Sequence, residues 1–404
     1  MLQAEGRIGS GALPYSRMIE RSIRKIVAEY QRSFPVLAFT GARQTGKTTL
    51  IKELFPDYTY LNLEDLSTYA RVKDDIASYI NIDTPHVIID EVQRVPELLS
   101  QIQAVSDEQK IAGSYIISGS QNLLLSEHIS QSLTGRAAYI ELPGLTLAEL
   151  RGVPGEGDLY ERIISGFYPA VYDRQINPTL YYDQYMSTYV ERDVRLIKSI
   201  TNLDAFRGFV GLLAGSVGRP FNASSMAGNL GVSPNTVKDW LSVLEATYIV
   251  FKLKPYYKNI GKQITKTPKI YFYDTGLLSF LLGVTAPDDL KNHYMIGSIF
   301  ENLVIADIKK TIMNKRGIEK LFFYRDKRYE VDLIINKGTG LRPVEIKRAM
   351  TYSSHFTEGL RYWTDLFADD TTKILPPHIV YTGPTQTPGK VFGLTNWQDA
   401  AALL

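Results

Sequence analysis

The chain has 404 residues, 44% of them hydrophobic and 22% charged, with 30 glycines, 19 prolines, no cysteine and a net charge of +2. That length suits two or three domains, and the balance excludes wholesale disorder, collagen-like repeats and coiled-coil rods. No apolar run approaches the roughly 18–20 residues of a membrane helix, the N-terminus lacks the basic-then-apolar order of a signal peptide, and disulfides, zinc–thiolate sites and thiol nucleophiles are out, so a cytoplasmic protein away from membranes is expected.

Residues 1–17 show no period and are read as a flexible arm, and a basic helix is expected from Met18 to Tyr30. Residues 36–150 alternate short apolar runs with helix-like stretches, the signature of a parallel sheet built from βαβ units. The runs are 36–40, 58–63, 86–90, 114–118 and 137–142. A turn-rich break at 152–157 precedes a helical, tyrosine-rich stretch to about Ser199. After a helix near 203, residues 222–250 predict two helices joined at Gly231, with Ser233 capping the second and Pro234 at its first position. The runs 248–257 and 269–274 predict a hairpin wing. A helix carrying Glu301 then precedes strands at 321–325, 330–336 and 342–347, a helix near 353–366 and a strand at 378–382.

Gly41, Ala42, Arg43, Gln44, Thr45, Gly46, Lys47 and Thr48, followed by Thr49, fit the pattern G-x-x-x-x-G-K-[ST] between a strand and a helix. Glycines there let backbone N–H groups turn toward phosphate oxygens, and the helix N-terminus adds its positive dipole end. Lys47 would bridge the β- and γ-phosphates of ATP, and the Thr48 hydroxyl would hold Mg²⁺. Asp90 and Glu91 close an apolar strand 42 residues after Thr48, where Asp90 would hold Mg²⁺ through water and Glu91 would polarise the attacking water. Gln121 or Asn122, leaving the strand that ends at Ser118, would sense the γ-phosphate. Arg136 is either a finger reaching a neighbouring subunit's nucleotide in a homo-oligomer or a partner in a local ion pair.

These motifs in this order resemble an AAA+ ATPase. More closely, the chain resembles a prokaryotic AAA-type family whose C-terminal region is a separate domain of unknown function. The shared stretches are 41–49, 90–98, 118–120, 133–136, 189–194 and 330–334. The resemblance implies an α/β fold: an AAA+ P-loop parallel sheet (18–152), a helical lid (153–202), a winged helix (203–283) and a restriction-endonuclease-like α/β domain (284–404).

Residues 222–270 hold seven lysines against Asp239 and Glu245, a local +5. Ser233, Asn235, Thr236 and Lys238 open the second helix, where base edges of double-stranded DNA would be read. Lys252, Lys254, Lys258, Lys262 and Lys266 would neutralise phosphates. Asp332 on one strand, Glu345 and Lys347 on the next and Glu301 on a helix resemble the PD-(D/E)xK nuclease core, with Asp332 and Glu345 as oxygen ligands for Mg²⁺ and Lys347 beside the attacking hydroxide. The expected function is ATP binding and hydrolysis, with exchange for ADP, coupled to DNA binding and a nuclease-like domain. The alternative is a slow nucleotide switch whose C-terminal region serves protein–protein contacts.

Overall fold

The computed structural model describes residues 19–119, 133–154, 157–188, 200, 202–257, 267–367, 373–386 and 392–404. The expected arm at 1–17 lies outside these residues. The basic helix begins later than its sequence suggests: α1 spans Arg24–Gln31, not Met18 to Tyr30. The residues before it are held by other bonds, because the buried Arg21 side chain reaches the carbonyls of Thr45 and Pro143, and Ser22 N donates to Glu149.

Five strands form the first sheet: β1 (Val36–Thr40), β2 (Thr59–Asn62), β3 (Val87–Asp90), β4 (Tyr115–Ser118) and β5 (Ala137–Glu141). Their order is β2-β3-β4-β1-β5 and every pairing is parallel. Both faces are covered, which is why the runs are almost continuously apolar. Leu37, Phe39, Ile88 and Ile116 pack toward α1 and α2 (Lys47–Leu54), whereas Val36, Ala38, Ile89 and Ile117 pack against the helix Glu97–Gln109. The glycine-rich loop leaves β1 between β4 and β5, at the carboxyl edge where ligands of open α/β sheets bind.

The tyrosine-rich stretch forms short helices, Leu159–Ser165, Pro169–Asp173 and Pro178–Thr188. The helix pair falls where expected: Ala223–Leu230 ends at Gly231, left-handed at φ 66°, and Pro234–Ala246 is capped by Ser233, whose side chain accepts from Thr236 N.

The remaining strands are β6 (Val250–Pro255), β7 (Lys269–Phe272), β8 (Lys320–Arg325), β9 (Glu330–Asn336), β10 (Leu341–Lys347), β11 (His378–Tyr381) and β12 (Gly393–Asn396). They form one mixed sheet of order β12-β11-β10-β9-β8-β6-β7. The expected hairpin, β6 antiparallel to β7, is present. It is not a free wing, because β6 also pairs in parallel with β8. No break in sheet or core occurs at the expected 283/284 boundary, and one hydrophobic cluster runs from Leu145 to Leu403. The helix Ile296–Lys315 lies inside that core with fifteen buried residues, and Asn302 fastens it to β7 by bonding both N and O of Phe272.

Candidate functional site

Backbone geometry dictates the loop at 41–46. Gly41 sits at φ +137°, and a Cβ there would stand 2.3 Å from the Leu142 carbonyl oxygen; Gly46 sits at φ +88°. Only glycine meets both demands. Thr45 Oγ1 donates to Ala42 O (3.0 Å), and Lys47 Nζ donates to the carbonyls of Gly41 (2.9 Å) and Ala42 (2.8 Å). The ammonium is thus buried with two carbonyls of its own loop among its partners.

Across the cleft, buried Asp90 is surrounded by hydroxyls. Its Oδ2 accepts from Thr48 (2.8 Å) and Tyr60 (2.7 Å), and its Oδ1 accepts from Ser118. Burial and the Asp90 charge push the Tyr60 phenol well above its ordinary pKa, so it stays a donor. Glu91 leaves β3 in the left-handed region at φ 58°, an uncommon state for a residue with a side chain, and accepts from Gln93 Nε2. Thr48, Asp90 and Glu91 therefore meet beside the loop as the sequence suggests. Gln93, within the shared stretch 90–98, joins them, as do Tyr60 and Arg21, which no motif marks.

A cavity of about 980 Å³ opens here, lined by Arg43 to Leu50, Glu64 and Glu91 on one side and by Ile176, Leu180 and Tyr181 on the other. Asp173 and Arg174 border it too, and Arg174 is exposed. The volume suits a nucleotide-sized ligand. Gln121 and Asn122 lie outside the described residues. Arg136 stands at the opposite edge of the sheet, next to the start of β1, and makes a bidentate pair with Asp107 (2.5 and 2.9 Å). Of its two readings, the local ion pair is the one present within the chain.

The second cluster lies on the mixed sheet. Glu345 and Asp332 face each other on β10 and β9, Lys347 Nζ lies 2.6 Å from Glu345 and 3.6 Å from Asp332, and Asp332 Oδ2 accepts from Ile346 N. Glu301 pairs with Lys269 (3.2 Å) and accepts from Tyr271. Lys269 also pairs with Glu330. By sequence Lys269 belongs to the basic wing, yet it is 2% exposed and sits inside the acid cluster. Burial and the Asp332 charge raise Glu345 to about 8 and Glu301 to about 7. Burial opposes the Lys347 ammonium, but the Asp332 and Glu345 carboxylates outweigh it and hold its pKa above the ordinary value. Among the described residues no three acid or histidine side chains converge as a metal site requires.

On the helix pair, Ser233, Asn235 and Lys238 are exposed and Thr236 is half-buried. Lys252 pairs with Glu245, and Lys254 is exposed. Lys258, Lys262 and Lys266 lie outside the described residues. Among the described residues no helix is long and apolar enough to cross a membrane.

Comparison with known proteins finds three matching stretches in the chain. Residues 33–151 match the family described as an AAA domain, and residues 156–288 and 296–397 match two domains of unknown function, DUF8612 and DUF4143. An uncharacterized protein of Mycobacterium tuberculosis is 29% identical over 345 residues, covering 83% of this chain and 76% of its own. Another, from Haemophilus influenzae, is 24% identical over 367 residues, covering 82% and 86%. One from Methanocaldococcus jannaschii is 25% identical over 332 residues, covering 73% and 70%. The Walker-type ATPase of Pyrococcus abyssi aligns over 65% of this chain and 94% of its own at 12% identity, with a TM-score of 0.45.

Proposed function

With an AAA-type P-loop ATPase module at residues 33–151 as the starting point, we propose that the cleft binds and hydrolyses Mg-ATP and passes its nucleotide state to the mixed-sheet unit. The observation that carries this is Lys47 held on loop carbonyls beside an open cavity, with Thr48, Asp90 and Glu91 across it. Lys47 would exchange those carbonyls for β- and γ-phosphate oxygens, while N–H groups of residues 42–49 wrap the phosphates. The Thr48 hydroxyl and, through water, Asp90 fit Mg²⁺, being hard oxygen donors of the kind it takes. When bound, that ion neutralises phosphate charge. Glu91 would orient the attacking water, Gln121 or Asn122 would read the γ-phosphate, and Arg174 would approach the phosphates from the tyrosine-rich side.

The contacts behind the loop support coupling. Ala42 packs with Tyr248 and Met313. Arg21 links Thr45 O to Glu149, which also accepts from Asn314. Met313 and Asn314 belong to the helix Ile296–Lys315, which carries Glu301 about 18 Å earlier at 1.5 Å per residue. Any shift of the loop therefore presses on the rod that carries one acid of the second cluster.

On this reading residues 153–202 are a lid and 203–283 a winged helix that meets duplex DNA through Asn235, Thr236, Lys238 and Lys254, with Lys258 on the wing. Residues 284–404 are the nuclease-like unit, with Glu301, Asp332, Glu345 and Lys347 as its site. A second reading, a slow nucleotide switch without cleavage, is favoured by the lysines already paired with those acids. Arg136, about 16 Å from the cleft along β1 at 3.3 Å per residue, serves catalysis only in trans, in a homo-oligomer. Lys47→Ala and Glu91→Gln variants test the ATPase: the first loses nucleotide binding, the second keeps it and loses turnover. Wild-type hydrolysis by both would refute the proposal.

A further inference from the structure

We propose that the turn between β8 and β9 is a docking surface for single-stranded nucleic acid, guiding its backbone toward the Asp332–Glu345 cluster. This rests on reading that cluster as facing a polynucleotide, yet its test reads binding, not cleavage.

The turn is held rigidly by one carboxylate. Asp326 Oδ1 accepts from Arg328 N (2.6 Å) and Tyr329 N (2.9 Å), while Oδ2 accepts from Tyr324 (3.2 Å) and Tyr362 (2.6 Å). Those bonds, the one from Tyr362 foremost, hold the Asp326 carboxyl down at about 2, so it stays ionised and the turn stays set. With Asp326 committed to the turn itself, its neighbours face outward. Lys327 and Arg328 are exposed, and among the described residues neither has an ion-pair partner. Tyr329 rests on the Tyr362 ring, with centroids 4.7 Å apart and planes at 34°, and keeps 36% of its surface exposed.

A chain of ion pairs leads from this turn inward to the buried acid cluster. Arg325 pairs with Glu330, Glu330 with Lys269, and Lys269 with Glu301. Arg328 lies four residues before Asp332, a span of at most about 13 Å. Cations without an internal partner beside a supported aromatic ring are the combination that holds single strands: phosphates meet the charges and an unpaired base stacks on the ring. A duplex keeps its base faces covered and has no use for Tyr329.

The test is fluorescence anisotropy of the full chain with a labelled oligothymidylate across a salt series, against a duplex of equal length. Replacing both cations (Lys327→Ser with Arg328→Ser) is expected to weaken oligothymidylate binding about tenfold and to flatten the salt slope by about one to one and a half. Tyr329→Ala is expected to weaken oligothymidylate several-fold and leave the duplex unchanged. Both variants keep wild-type ATP turnover, since the altered groups are remote from the cleft, and the double variant keeps wild-type melting, since Lys327 and Arg328 are exposed. A double variant with wild-type affinity and slope, or a wild-type chain that binds only duplex, overturns the inference. Asp332→Ala separates the two ideas. Binding that depends on the turn without any cleavage by the wild-type chain removes the nuclease reading and leaves the docking surface. Cleavage lost in Asp332→Ala but indifferent to the turn does the reverse.

Discussion

The nucleotide cleft and the acid cluster of the mixed sheet are built from the same residue types, and they use them in opposite ways. In the cleft, Lys47 donates to loop carbonyls and Asp90 accepts from hydroxyls beside an open cavity. In the cluster, Lys269 and Lys347 already lie on carboxylates, and burial raises two of those same acids, Glu301 and Glu345. Lys47, bonded to loop carbonyls at the wall of a cavity, stands where an incoming phosphate can take those bonds over. A cation satisfied by an acid has spent its charge on the fold. Substitutions in the cleft should therefore cost function, and those in the cluster should cost stability.

The largest effect that sharpens this contrast is Lys47→Ala, expected to abolish saturable nucleotide binding while melting of the ligand-free protein changes little; equilibrium binding and thermal denaturation check both halves. Glu91→Gln should lower turnover by about 10²–10³-fold with nucleotide affinity retained, read by steady-state kinetics. On the other side, Lys269→Met leaves Glu301 with the Tyr271 hydroxyl and Glu330 with Arg325, and should destabilise the fold by about 3 kcal/mol with little change in nucleotide affinity. A Lys269→Met protein as stable as wild type would break the comparison. Gly41→Ala, driving a Cβ into the Leu142 carbonyl, should cost about 2 kcal/mol and weaken nucleotide binding.

The smallest effect concerns the joint between the two regions. Lys310 of the long helix is wholly buried, donates to Leu145 O (2.6 Å) and lies 3.4 Å from the Phe167 ring centroid. Burial lowers its pKa to about 8 from an ordinary 10.5. Between those values the unfolded chain holds a proton that the folded chain has released, so stability rises with pH through that window. Lys310→Met should lack the rise. Melting midpoints of the two proteins at pH 7.5–10.5 should show the wild type gaining on the variant.

The parts legible in the sequence were those set by local rules. The phosphate loop is recognisable because two glycines must take positive φ between an apolar strand and a helix, and the Ser233–Pro234 start is recognisable because capping is a short-range bond. The parts that escaped depend on distant pairing. No local pattern says that β6 will pair with β8 and merge the hairpin with the C-terminal sheet. Lys269 reads as one more wing lysine until that pairing carries it under Glu301. Tyr60 reads as ordinary strand filler until β2 lies beside β3 and its hydroxyl meets Asp90. The start of α1 was misplaced because the bonds that hold Arg21 reach residues 24 to 128 positions away.

Titration calorimetry of the wild-type protein with Mg-ATP, alongside Lys47→Ala, addresses the cleft most directly. Saturable heat and a raised melting temperature in the first, both absent from the second, are expected. No heat and no thermal protection of the wild type at millimolar nucleotide would contradict the assignment of a triphosphate to this loop.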